Sequence, residues 1–217
     1  MSEEVGDRYD ERAEEYASLF LSDLDRDPEA CRWLQRFDEM VDRENGLVID
    51  VGCGPGHVSH HLTQLGLDVV GIDISAGQIT EARAAFAELR FDVGDFAALD
   101  QADSSLGGIV SRYSIIHTPP AELAGVFAEW KRALAPGAPV LVSFFGSLAV
   151  GSHGSPFDHT VVTAYELFPA TIAELLVGTG FVDIETDAVP APEGARRPFD
   201  QATILARAPQ ALAESKL

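Results

Sequence analysis

The chain has 217 residues, of which 46% are hydrophobic and 23% charged, a length and balance that suit one α/β domain with a small addition and exclude global disorder. Its formal net charge of −20 would repel a polyphosphate backbone or an anionic membrane surface, so neither nucleic acid nor membrane is expected as a partner. Cys31 and Cys53 form no metal-ligand spacing, no basic region precedes an apolar stretch at the N-terminus, and the run Ala138 to Val150 is too short to span a bilayer. Free thiols and a cytoplasmic location are the resulting expectations.

In chain order, Val5, Tyr9, Ala13, Tyr16 and Phe20 recur at helical spacing, as do Ala30, Leu34, Phe37 and Val41 after the helix-start pair Asp27-Pro28. Two amphipathic helices are therefore expected before the first strand. The turn pair Asn45-Gly46 introduces Leu47 to Val51, a short apolar run of the kind a strand covered on both faces needs. A helix from about His57 to Leu65 leads to a second apolar run, Val69 to Ile72, closed by Asp73. The alternation continues with a helix marked by Ile79, Ala82, Phe86 and Leu89, then strands at Arg90 to Val93 and Gly108 to Ser111. A helix marked by Leu123, Phe127, Trp130 and Leu134 precedes a strand at Val140 to Phe145. Gly146 to His159 reads as a loop and Pro169 to Val177 as the last long helix. Phe181 to Thr186 and Ala202 to Ala206 are expected to pair antiparallel at the sheet edge, joined by the Pro-rich loop Pro190 to Pro198.

The strongest local signal is Val48-Ile49-Asp50-Val51-Gly52-Cys53-Gly54-Pro55-Gly56, a strand followed by three alternating glycines that let a ligand lie against bare backbone. A dinucleotide GxGxxG pattern would require glycine where His57 stands, and no Tyr-x-x-x-Lys hydride-transfer pair is evident, so a nicotinamide enzyme is disfavoured. Asp73 ends the second strand, where a carboxylate can accept from both hydroxyls of a ribose. Gly94-Asp95-Phe96 puts a carboxylate and an aromatic ring after the third strand.

These elements, with Gly71-Ile72-Asp73-Ile74-Ser75, resemble the class I S-adenosylmethionine-dependent methyltransferases in order and spacing, over nearly the whole chain. The resemblance implies a Rossmann-like fold: a seven-stranded, mostly parallel sheet with an antiparallel C-terminal edge hairpin. It implies an N-terminal helical cap over residues 1–44 and a methyltransferase domain over 45–217, with a substrate-side insertion at 146–166. It would place Asp50, Gly52, Gly54 and Gly56 around the methionine portion of S-adenosylmethionine, Asp73 at the ribose and Asp95 at the adenine amino group. Ile74 and Phe96 would pack near the ring, with Ser111 at the end of the fourth strand. Arg8-Tyr9-Asp10 and Tyr16 look like a helix that closes over the cofactor. The segment Ile109 to Pro119, with Asp158-His159 and Ala164-Tyr165, is most similar to small bacterial small-molecule methyltransferases.

A hydroxyl acceptor must lose its proton as it attacks, and His117, then His159, are the candidate bases. Competing readings remain for several of these residues. Asp73 and Asp95 also suit helix caps, Tyr9 and Tyr16 suit core positions, His117 suits a turn before Pro119-Pro120, and His153 and His159 suit a surface loop. His117, His153, Asp158 and His159 match no compact ligand motif, so no metal is expected. The expected partner is a small methyl acceptor bearing a hydroxyl, amine or carbon nucleophile, one already nucleophilic needing the histidines only for orientation, and the chain would act as a monomer or homodimer. A cofactor-binding cyclase or sensor of the same fold is the alternative.

Overall fold

The structure, a computed structural model, describes residues 2–44, 46–146, 154–159, 161–191 and 199–211. Asn45 of the expected turn, His153 with most of the Gly146 to His159 loop, residues 192–198 of the Pro-rich loop, and 212–217 lie outside them.

The N-terminal segment forms three helices where the spacing predicts two: α1 (Ser2–Asp10), α2 (Ala13–Phe20) and α3 (Pro28–Met40). The first break falls at Arg12, whose φ of −129° and ψ of 18° leave the helical region while its side chain turns back to pair with Glu15. The start of α3 follows the sequence signal. Asp27 caps it by accepting from the Ala30 amide at 2.9 Å, and Pro28, whose missing N–H costs nothing in the first turn, occupies the first position.

The central sheet contains β1 (Leu47–Val51), β2 (Asp68–Asp73), β3 (Arg90–Val93), β4 (Leu106–Arg112), β5 (Pro139–Gly146), β8 (Val182–Val189) and β9 (Asp200–Arg207), in the order β3-β2-β1-β4-β5-β9-β8. Pairings among β1 to β5 are all parallel, and β9 runs antiparallel to both its neighbours, as the edge-hairpin expectation requires. Connecting helices are α4 (His57–Gln64), α5 (Ala76–Ala85), α6 (Leu123–Ala133) and α7 (Pro169–Thr179). A second, two-stranded sheet of β6 (Pro156–Asp158) and β7 (Thr163–Tyr165) stands where the sequence suggests only loop.

Neighbouring residues Val48 and Ile49 of β1 are 0% and 1% exposed, so the strand is covered on both faces. Val48, Val110 and Leu141 meet Trp33, Leu34 and Phe37 of α3 and Leu62 of α4, while Ile49, Ile109 and Val142 meet Phe127 and Trp130 of α6 and Leu176 of α7. Each large apolar side chain stabilises the fold by roughly 1.5–3 kcal/mol on burial. By that measure α3 belongs to the core. Among the described residues of α1 and α2, only the small Gly6, Ala13 and Ala17 are buried, so these two helices lie on the domain rather than in it. No helix of the described residues is long and apolar enough to cross a membrane.

Candidate functional site

The carboxyl ends of β1, β2 and β4 meet at one edge of the sheet, the edge on which open α/β sheets bind ligands. The chain leaves β1 through Gly52, with φ of +66°, and Gly54, with φ of +53°, conformations that a side chain disfavours. A Cβ on Gly52 would lie 2.3 Å from the Ser114 Cβ, so this glycine lets the segment after β4 close against the loop. Gly54 differs. A Cβ there would meet only Gln78 Oε1 and Tyr16 Cε1, each at 3.8 Å, so its bare face is the least crowded of the three loop glycines. A Cβ on Gly56 would strike the Phe91 ring at 2.6 Å, so a glycine is needed there for close packing against β3.

Asp73 ties the loop to β2: its Oδ2 accepts from the Gly54 amide and its Oδ1 from the Ser75 amide, both at 2.9 Å. Burial pushes this carboxyl up, opposed by those two amides. Each carboxylate oxygen keeps a further acceptor site, so two ribose hydroxyls can still be received. Asp95, half-buried, accepts from the Ala97 amide at 2.8 Å and shapes the turn after β3. Phe96 lies 6.2 Å from the Trp130 ring, and its carbonyl accepts from Trp130 Nε1 at 2.9 Å. Ile74 lies beneath α1, where a Cβ on Gly6 would be 3.2 Å from its carbonyl oxygen.

Asp50 sits beneath the loop, 1% exposed, and accepts from Ser59 Oγ of α4 at 2.6 Å. Its bonded partner is therefore on the helix, which gives it the geometry of a positioning residue for the loop. Burial raises its carboxyl to about 7, with Ser59 and Arg112 opposing. A carboxyl raised from an unfolded value of about 3.9 stabilises the fold most below that value, and its contribution is lost as pH rises. Asp50→Asn keeps an acceptor for Ser59 without the ionisation. The wild-type melting temperature should therefore fall relative to this variant between about pH 4 and about pH 7. A constant difference across that window would mean that Asp50 titrates normally.

Beyond β4, Tyr113 takes a φ of +56° and a 3-10 turn carries Ile115 to His117 back over the sheet edge. Ser111, fully buried, holds that turn through a 2.6 Å hydrogen bond with Ser114 Oγ. His117 is 7% exposed, with its Nδ1 2.9 Å from the Thr163 carbonyl oxygen and its Nε2 2.9 Å from the Tyr9 hydroxyl. A carbonyl can only accept, so in the neutral ring Nδ1 carries the hydrogen and Nε2 accepts from the phenol. Tyr9 packs edge-on to Tyr16 at 5.3 Å. His159 lies 5.1 Å from the His117 ring and is flanked by Phe145 at 5.8 Å and Phe157 at 6.2 Å.

The structure thus brings Tyr9, Tyr16, Gly52, Gly54, Asp73, Ile74, Ser111, His117 and His159 to one edge. The sequence reasoning missed Thr163, Ser59, Ser114 and Gln78. Asp10 has a role it did not foresee. Its Oδ1 accepts from Ser75 Oγ at 2.5 Å and from the Gly77 amide at 2.7 Å, fastening α1 to the start of α5.

Residues 48–137 match the family model described as a methyltransferase domain. These residues, fewer than half of the chain, are similar to a methyltransferase domain. The chain's curated relatives include malonyl-(acyl-carrier protein) O-methyltransferase of Erwinia billingiae, 27% identical over 65% of this chain and 61% of the relative. They also include demethylmenaquinone methyltransferase of Renibacterium salmoninarum, 29% identical over 72% of this chain and 67% of the relative. The chain spans 61%, 38% and 45% of the length of three such relatives. Among solved structures, the cyclase SpnF superposes with a TM-score of 0.71 over 84% of this chain and 82% of its own, at 18% identity, a likeness of fold. At this sheet edge the bare face of Gly54, the acceptor oxygens of Asp73 and the buried amide of Gln78, unpartnered among the described residues, fit a ligand that carries hydroxyls and lies along the loop. S-adenosylmethionine is such a ligand.

Proposed function

We propose that the protein transfers a methyl group from S-adenosylmethionine to a hydroxyl of a small acceptor, with Tyr9 and His117 handling the acceptor's proton. The observation that carries this reading is the chain from the Tyr9 hydroxyl through His117 to the Thr163 carbonyl, lying across the sheet edge from Asp73. When bound, the cofactor supplies an electrophilic methyl on a sulfonium. Gly54 and Asp73 hold it, and α1 and α2 exclude water above it. Thr163 fixes the tautomer of His117, so Nε2 is the basic atom. As the acceptor hydroxyl attacks, its proton passes to the Tyr9 oxygen while the phenol proton passes to Nε2.

The Phe199 ring lies 6.1 Å from Phe145 and 4.3 Å from Phe157, the two rings that flank His159, and this aromatic surface favours a planar, apolar acceptor such as a phenol. The relatives' names point to different acceptors, so the choice rests on these residues. The proton-accepting pair suits transfer to a hydroxyl, and that favours methyl transfer over a cyclase of this fold. The net charge of −20 argues against a nucleic-acid acceptor.

Calorimetry followed by a mass-spectrometric screen tests the reading. S-adenosylmethionine and S-adenosylhomocysteine should bind, NAD should not, and cofactor at a hundredfold over its Kd should stabilise the protein by about 2.7 kcal/mol. Phenols should gain a methyl ahead of amines and carboxylic acids. Absence of cofactor binding, or methylation confined to carboxylic acids, would overturn it.

A further inference from the structure

Gln78 is the third residue of α5, and its backbone amide is satisfied by the Ser75 hydroxyl that caps the helix, at 3.0 Å. Its side chain is another matter. The residue is 0% exposed, and neither Oε1 nor Nε2 has a hydrogen-bond partner among the described residues. Asp50 pairs with Ser59, Ser111 with Ser114 and Ser75 with Asp10, whereas among the described residues His57 Nδ1 and Thr118 Oγ1 share the lack of a partner. A buried amide with both ends unmet is costly, and a methionine of similar length would fill the same space without that cost. The amide faces the bare side of Gly54, with the Tyr16 ring close by.

The same Gly54 donates its amide to Asp73. An ionised carboxylate can only accept, so Asp73 takes the hydrogens of a diol but offers nothing to its oxygens. A primary amide both donates and accepts. We propose that Gln78 and Asp73 together recognise the ribose diol of the cofactor, Asp73 accepting from the hydroxyls and Gln78 Nε2 donating to a hydroxyl oxygen, which makes Gln78 a specificity-determining residue for the ribose. The inference rests on the cofactor reading above.

The test measures S-adenosylhomocysteine affinity and unliganded melting temperature for wild type and Gln78→Met. Removing a buried, unpaired amide should leave the unliganded melting temperature equal or higher, while cofactor affinity falls roughly 10- to 100-fold. A purely structural residue would lower both together. Competition with adenosine and 2′,3′-dideoxyadenosine then reads the diol: wild type should favour adenosine strongly, and Gln78→Met should lose much of that preference. Gln78→Asn, which keeps the amide but withdraws it by one methylene, should behave like Gln78→Met and serves if the latter folds poorly. Affinity within twofold of wild type in both variants, or an equal loss for both adenosine probes, overturns the role of Gln78. If wild type itself fails to bind S-adenosylhomocysteine, the cofactor reading is wrong and the inference falls with it.

Discussion

His117→Ala should lose about 100- to 10,000-fold in turnover while S-adenosylhomocysteine affinity stays near wild type, because the imidazole meets Tyr9 and Thr163 rather than the glycine loop. Tyr9→Phe removes the hydroxyl through which the proton would travel and should fall in the same direction. Groups that act as one unit are not additive, so the double variant should be little slower than the worse single one. The wild-type rate should drop on the acid side as Nε2 acquires its own proton and can no longer receive the phenol's. Turnover within a few-fold of wild type in His117→Ala would make His117 a turn residue. Additive losses in the double variant would break the link to Tyr9.

The second large effect is expected at Gly52. Gly52→Ala places a methyl group 2.3 Å from the Ser114 Cβ on a backbone with φ of +66°. The left-handed conformation alone costs about 1–3 kcal/mol for a residue with a side chain, and forcing the turn after β4 away adds about as much. Roughly 2–6 kcal/mol of lost stability should appear in chemical denaturation, a large share of the 5–15 kcal/mol typical of a domain. Gly54→Ala pays only the conformational part, since a Cβ there has nothing nearer than 3.8 Å, yet its methyl would occupy the bare face. That variant should melt closer to wild type and bind cofactor much more weakly. Equal behaviour of the two variants would show that the loop glycines share one role.

The sheet was legible because its strands must bury both faces, which leaves near-continuous apolar runs such as Leu47 to Val51, interrupted only by Asp50 and bounded by turn residues. The helical break at Arg12 was not. The spacing from Val5 to Phe20 continues across it, and the break depends on how α1 and α2 lie on the sheet edge. β6 and β7 have three residues each, too few for alternation to register. Thr163 acts through its carbonyl oxygen, a group every residue has, so no side chain announces it. Gln78 reads as an ordinary polar residue at the start of a helix, and only α2 above it turns it into a buried amide. For Asp50 the motif marked the residue, but its partner Ser59 lies on α4, and only the folded chain brings the two side chains together.

Ser75 touches two systems at once, donating its amide to Asp73 and its hydroxyl to Asp10. Whatever binds at Asp73 therefore shares a residue with one of the fastenings of α1. Two equilibria joined in this way are thermodynamically reciprocal. The factor by which a ligand at Asp73 would tighten α1 must equal the factor by which α1 would tighten the ligand, so a substitution that loosens Asp10 should lower affinity at a site it never touches.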